Sequence, residues 1–228
     1  MALSNFDGET FVAFIDISGF KKLMQKDKAK NALELFYKTG YNLIKDQQLS
    51  HKIEGLFVSD CGILFVNNLN DESNLEQDLI SLLQMIKSIN RCMLDEDFML
   101  VSSVAFGKFK YQNRFEIQNI EKNAIYGDAY VDVVTDIEGN YRKIEPGECR
   151  LIAKSLPHDI NKIIEKQSGD MFNLVKKKNT NRENYYYYFY WMCETENDIK
   201  RINRDYHKST DAQYDIILKS LKQGYNST

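Results

Sequence analysis

The sequence has 228 residues, 43% of them hydrophobic and 28% charged. That balance excludes wholesale disorder and fits one large domain or one domain with an appendage. A net charge of −3 offers no basic field for nucleic acid, no apolar run reaches the roughly 20 residues that cross a bilayer, and no signal-peptide start is present.

Residues 11–17 form a compact apolar run with Asp16 near its end, which predicts a buried central strand. Ser18 and Gly19 break the run, and a helix is expected over about 28–45 from the spacing of Leu33, Phe36, Tyr37 and Ile44. Residues 51–66 hold two apolar runs around Ser59-Asp60-Cys61-Gly62, which predicts a hairpin with an acid at its tip. A second helix is expected over 75–93, with Leu79, Leu82, Leu83, Ile86, Ile89 and Met93 on one face. A strand over 98–106 is expected to close at Gly107, and 108–122 reads as mixed. Residues 127–137 read as helix, 150–153 as a short strand and 158–166 as a short helix. Residues 172–177 and 185–192 bracket a charged turn and predict a final hairpin. Its second strand carries six consecutive aromatics from Tyr185 to Tyr190. That strand is expected to have large residues on both faces and to be partly buried at a dimer interface. Tyr214, Ile217, Leu218 and Leu221 predict a terminal helix.

The order is β-α-β-β-α-β, then a helix and further strands. It predicts an α+β, ferredoxin-like βαββαβ fold, an antiparallel sheet with helices on one face. The expected division is one domain over 1–195 and a helical extension over 196–228.

Four scattered Cys without a CxxC pair, and only three His, argue against a structural zinc site. Reduced thiols in a cytoplasmic protein are the expectation. The chemistry instead gathers on two acids. In this topology the strand ending at Asp16 lies beside the hairpin tipped by Asp60, so both carboxylates reach one sheet edge. Two hard carboxylates and a backbone carbonyl suit Mg²⁺ or Mn²⁺ and, through them, phosphates. Ser18-Gly19-Phe20-Lys21 opens a helix whose first amides can cradle phosphate. Either acid alone also reads as an ordinary cap or turn residue.

Residues 14–20, Phe-Ile-Asp-Ile-Ser-Gly-Phe, resemble the opening motif of class III nucleotidyl cyclases. Val58-Ser59-Asp60-Cys61-Gly62 resembles their second motif, in which Gly-Asp tips a hairpin. Residues 103–107 resemble their third strand end, and Tyr126-Gly127 through Glu138 resembles their Gly-Asn helix. The resemblance implies catalysis by Asp16 and Asp60, with two Mn²⁺ or Mg²⁺ ions per site held by Asp16, Asp60 and the carbonyl of Ile17. It places Gly19, Phe20 and Lys21 along the triphosphate, and Leu56 and Ala124 in the base pocket. It also implies a homodimer with each site shared between two chains.

Several residues depart from the family pattern. Purine cyclases carry Lys or Glu where Leu56 stands, and Asp or Cys at about Ala124. Neither residue here can read a purine edge by hydrogen bonding. The family's transition-state Asn and Arg fall on Val131 and Thr135; Arg142 and Arg114 are candidate replacements. One of Lys176, Lys177 and Lys178 can serve as the family's phosphate-binding Lys, or all three form a solvated run. Retained acids without purine readers resemble the pyrimidine cyclases of bacterial Pycsar antiphage systems. That resemblance implies conversion of UTP or CTP to cyclic UMP or cyclic CMP, and a cyclic-nucleotide-gated effector activated by the product. It implies no membrane and no nucleic-acid partner. A purine cyclase and a catalytically silent dimerisation or ligand-binding module stay open beside it.

Overall fold

The computed structural model describes residues 3–46, 52–67, 74–117, 120–139, 144–166, 173–178, 185–193, 217–219 and 221–222. Its elements run β1 (Phe6–Ile17), α1 (Phe20–Gln25), α2 (Ala29–Asp46), β2 (Lys52–Val58), β3 (Cys61–Asn67), α3 (Leu75–Asp95), β4 (Leu100–Ile117), β5 (Ile120–Tyr126), α4 (Asp128–Glu138), β6 (Cys149–Ile152), α5 (His158–Lys166), β7 (Leu174–Lys178) and β8 (Tyr185–Phe189). The sheet order is β2-β3-β1-β4-β6-β8-β7, with β5 paired to β4. The first four strands have the order and antiparallel pairing of the expected βαββαβ unit. Strands β4 and β6 run parallel.

The period-two alternation of β1 explains how the sheet acquires two cores. Phe11, Ala13, Ile15 and Ile17 face one layer with α2, α3 and α5. Val12 and Phe14 face the other, with Leu56, Ile63, Phe65, Phe109 and the α4 residues Ala129 and Val133. Helices therefore lie on both faces, not on one as the sequence pattern suggested. The reason is that β1 is apolar at both parities and needs cover on each side. Helix α3 follows its predicted stripe, and its N-cap Asn74 accepts a hydrogen bond from the Gln77 amide at 3.2 Å.

Strand β4 does not stop at Gly107. It runs on to Ile117 and returns as β5. The extension follows from alternation past the glycine: Phe109 and Tyr111 are buried on the second face against Phe6 and Phe65. The chain after β1 also divides into α1 and α2, because Asp27 takes a left-handed turn at φ 55°.

The aromatic run forms β8, as expected, but its burial is supplied by its own chain. Tyr187, Tyr188 and Phe189 enter the first core together with Tyr190 and Trp191. The Trp191 indole N–H donates to the Gly147 carbonyl at 2.8 Å. Ile217 and Leu221 also pack on this core. The expected boundary at 195 and most of the expected terminal helix lie outside the described residues.

One buried ion pair fixes α4 to the sheet. The Arg150 side chain on β6 is 2% exposed and Asp136 on α4 is 6% exposed. Arg150 donates from Nε and Nη2 to the two Asp136 carboxylate oxygens, both at 2.7 Å, and from Nη2 to the Asp136 carbonyl at 3.0 Å. The Ser103 hydroxyl on β4 donates to the same carboxylate at 2.7 Å. The guanidinium also lies over the Tyr186 ring, 4.7 Å from its centroid. Removing one partner leaves a buried charge uncompensated, which costs about 3–5 kcal/mol in comparable pairs. Arg150→Leu is expected to destabilise the fold by that order in urea unfolding, and the double variant Arg150→Leu with Asp136→Leu to recover a large part of it.

Candidate active site

Asp16 stands at the end of β1 on the second face, two residues beyond Phe14, and is half-buried. Its backbone partner on β3 is Cys61. The next residue locks the hairpin tip in place: the Ile17 amide donates to the Asp60 carbonyl at 2.9 Å. The Ser18 amide then donates to the Met99 carbonyl at 2.9 Å, which ties the strand end to β4. Ser59 and Asp60 are the two turn residues between paired Val58 and Cys61. Ser59 adopts φ 53°, a left-handed conformation uncommon for a residue with a Cβ. The Ser59 hydroxyl donates to Asp60 Oδ1 at 3.0 Å. The two acids expected from sequence are thus brought to one edge by strand pairing.

Their electrostatics follow from that proximity. Burial, then the charges of Asp60 and Glu138, push the Asp16 carboxyl up to about 7. Burial, then Asp16, Asp60 and Glu138, push the Cys61 thiol up to about 11, and its sulfur donates to the Val58 carbonyl at 3.1 Å. Burial, then Cys61 and Glu138, also raise the Tyr130 hydroxyl. Glu138 at the end of α4 is therefore a third negative charge acting on the site. In the sequence Glu138 marks only the close of a helix motif; its signal is its position at the end of an amphipathic segment that covers the acid-bearing face.

The other expected residues are placed unevenly. Gly19 has φ 70° and opens α1, and its carbonyl accepts from the Lys22 amide at 2.8 Å. Phe20 packs at the edge of the first core, while Lys21 is exposed. Leu56 is 8% exposed and packed in the second core, on β2 level with Ile63 and Phe14. Ala124 lies on β5 opposite Gln112, next to the Tyr111–Phe6 pair at the far end of β1. Phe6 and Asp16 stand ten positions apart on the extended strand, about 33 Å. A single chain does not bring Ala124 to the acids. Val131 is 57% exposed and Thr135 is exposed on α4. Arg114 lies on β4 opposite Lys122, Lys176–Lys178 lie on β7, and Arg142 falls outside the described residues.

Among the described residues no three His, Cys, Asp or Glu side chains form a metal-holding group by themselves. The oxygen donors at this edge are two carboxylates and main-chain carbonyls, with the protonated Cys61 thiol beside them and Asp16 left short of counter-charge. That donor set fits a divalent cation such as Mg²⁺ or Mn²⁺ whose remaining positions are taken by water or phosphate.

No protein-family profile matches the sequence. No curated protein matches it either. Solved structures do share its fold. The adenylyl cyclase CyaB from P. aeruginosa superimposes with a TM-score of 0.58 at 15% identity, covering 82% of this chain and 95% of that one. The guanylyl cyclase domain of the RhoGC fusion protein from the aquatic fungus Blastocladiella emersonii gives 0.56 at 10% identity, covering 82% and 98%. A bacterial light-regulated adenylyl cyclase gives 0.55 at 14% identity, covering 96% and 99%. The chain therefore has the fold of class III nucleotidyl cyclase domains. Solved domains similar to it include adenylyl and guanylyl cyclases.

Because the folded Asp16 carboxyl titrates near 7 instead of 3.8, its ionisation opposes folding above that range and does not below 3.8. Asp16→Asn is expected to raise the melting temperature of EDTA-treated protein at pH 8. The gain should shrink as pH falls from 7 towards 4, and calorimetry across that range checks it.

Proposed function

We propose that this chain is a metal-dependent nucleotidyl cyclase of the pyrimidine type. It converts UTP, or CTP, to the 3′,5′-cyclic monophosphate and diphosphate. The observation that carries the reading is the pairing of Asp16 with Asp60: two carboxylates held at one sheet edge by the Ile17–Asp60 backbone bond, in a fold shared with adenylyl and guanylyl cyclases. Asp16, Asp60 and the Ile17 carbonyl hold two Mn²⁺ or Mg²⁺ ions. Such ions, when bound, lower the pKa of the attacking 3′-hydroxyl and offset charge on the leaving diphosphate. The chain's own residues orient and enclose. Gly19, Phe20 and Lys21 line the triphosphate. The rigid β1–β3 edge keeps the carboxylates fixed while the hydroxyl attacks in line.

The base reading rests on Leu56. It is apolar and sits among apolar neighbours, so it supplies no hydrogen bond to a purine edge. Ala124 lies far from the acids of its own chain, which supports a head-to-tail homodimer: one chain gives the metal acids and its partner gives Leu56 and Ala124. The cyclase domain spans 1–195, with a helical extension over 196–228. The enzyme works in the cytoplasm, without membrane or nucleic acid. Its cyclic product activates a cyclic-nucleotide-gated effector in antiphage defence.

Pure protein incubated with ATP, GTP, CTP or UTP and Mn²⁺, with products resolved by chromatography and mass spectrometry, tests this. Cyclic UMP or cyclic CMP should dominate. Asp16→Asn and Asp60→Asn should each lower turnover by about 100-fold or more, since each removes a ligand on which several kcal/mol of charge stabilisation depends. Cyclic AMP or cyclic GMP as the main product would instead assign a purine cyclase. Absence of any product with all four nucleotides would leave the silent module.

A further inference from the structure

The Ser59–Asp60 tip is held from outside the sheet by α2. The Tyr37 hydroxyl on α2 donates to the Ser59 carbonyl at 2.9 Å. Tyr37 sits in an aromatic group that joins α2 to β2. The Phe36 and Phe57 rings meet edge-to-face with centroids 4.9 Å apart, Tyr41 and Phe57 at 5.0 Å, and Tyr37 and Phe57 at 6.2 Å. The Phe57 ring lies directly on the α2 backbone at Gly40, where an added Cβ would fall 2.1 Å from its Cζ. The helix is thus set firmly against β2, and from it Tyr37 reaches the one residue of the turn with a left-handed backbone. A left-handed backbone is unfavourable for a non-glycine residue and persists only where its surroundings hold it.

We infer that Tyr37 is a positioning residue for Asp60: its hydroxyl holds the Ser59 carbonyl, and with it the turn conformation that aims the Asp60 carboxylate at the cation. The inference rests on the cyclase reading for its consequence but not for its geometry. Two contacts fix the tip independently. The Ile17 amide holds the Asp60 carbonyl from the sheet, and Tyr37 holds the preceding carbonyl from the helix. Without the second, the peptide between Ser59 and Asp60 can relax out of its strained state while the β2–β3 ladder stays paired.

Tyr37→Phe removes the hydroxyl and keeps the ring. Tyr41→Phe is the control, because its hydroxyl accepts from the Phe57 amide at 3.5 Å, on β2 ahead of the turn. Mn²⁺ binding, followed by the electron paramagnetic resonance of free Mn²⁺, should weaken about two- to tenfold in Tyr37→Phe, the range one neutral hydrogen bond is worth. It should stay within about twofold in Tyr41→Phe. Under turnover with UTP, the Mn²⁺ concentration for half-maximal rate should rise while the rate at saturating Mn²⁺ is largely kept. Hydrogen exchange of the turn amides at 59–61 should quicken in Tyr37→Phe alone, with the melting temperature unchanged. Equal Mn²⁺ affinity and equal tip exchange in Tyr37→Phe and wild type would overturn the inference. So would a lowered melting temperature with faster exchange throughout the domain, which would make Tyr37 a packing residue only. If wild-type protein neither binds Mn²⁺ nor cyclises any nucleotide, the cyclase reading falls, and exchange at the tip still decides whether Tyr37 holds the turn.

Discussion

Strand β1 is buried on both faces and hydrogen-bonded along both edges, and the placement of everything chemical in this chain depends on its register. Side chains alternate with a period of two, so a slip of one residue against β3 would exchange the two layers. Phe11, Ala13, Ile15 and Ile17 would leave the core of α2 and α3, and Asp16 would enter it. The large apolar residues on both parities resist that slip from both directions. The same register pairs Asp16 with Cys61 and sets the Ile17 amide on the Asp60 carbonyl. The acid pair is thus a consequence of core packing several residues away. It needs no contact between the carboxylates themselves, and their mutual repulsion is tolerated because hydrophobic burial fixes the strands.

Much of this was legible in the sequence, and for a physical reason. Residues 11–17 and 56–66 carry strong local signals, an apolar run ending in an acid and two apolar runs around a short polar turn. Strand pairing then leaves little choice about where Asp16 and Asp60 meet. The helices over α3 and α5 were legible because their buried residues recur at helical spacing. What failed were features in which one residue type has two meanings. Gly107 read as a strand end, yet β4 continues through it because Phe109 and Tyr111 keep the alternation and find Phe6 and Phe65 to cover. The aromatic run of β8 read as interface surface, since nothing local says that the same chain buries it. The second-face position of α4 was invisible as well. Helical periodicity reports which side of a helix is apolar, not which side of a sheet it covers.

The site shows the same division between local and distant information. Glu138 follows Asp16 by more than a hundred residues, and its charge reaches the acids only because α4 crosses the second face. Tyr37 reads in sequence as one more apolar residue of α2. Its hydroxyl gains a role only through the packing of Phe57 against Gly40, which brings the helix to the hairpin tip. Neither relation has a motif, because each links elements through the tertiary fold alone.

The buried pair of Arg150 and Asp136 has a consequence for how such a sequence can change over time. Each residue is tolerable in its surroundings only while the other is present, and Ser103 and Tyr186 are fitted to both. A lineage that replaced either one first would pass through a state with a lone charge in a dry interior. The two positions, fourteen apart in the chain, are therefore constrained to drift together or not at all. Chains of this fold that have diverged elsewhere should preserve both members, exchange them in concert, or lose both to apolar residues, with the mixed combinations rare.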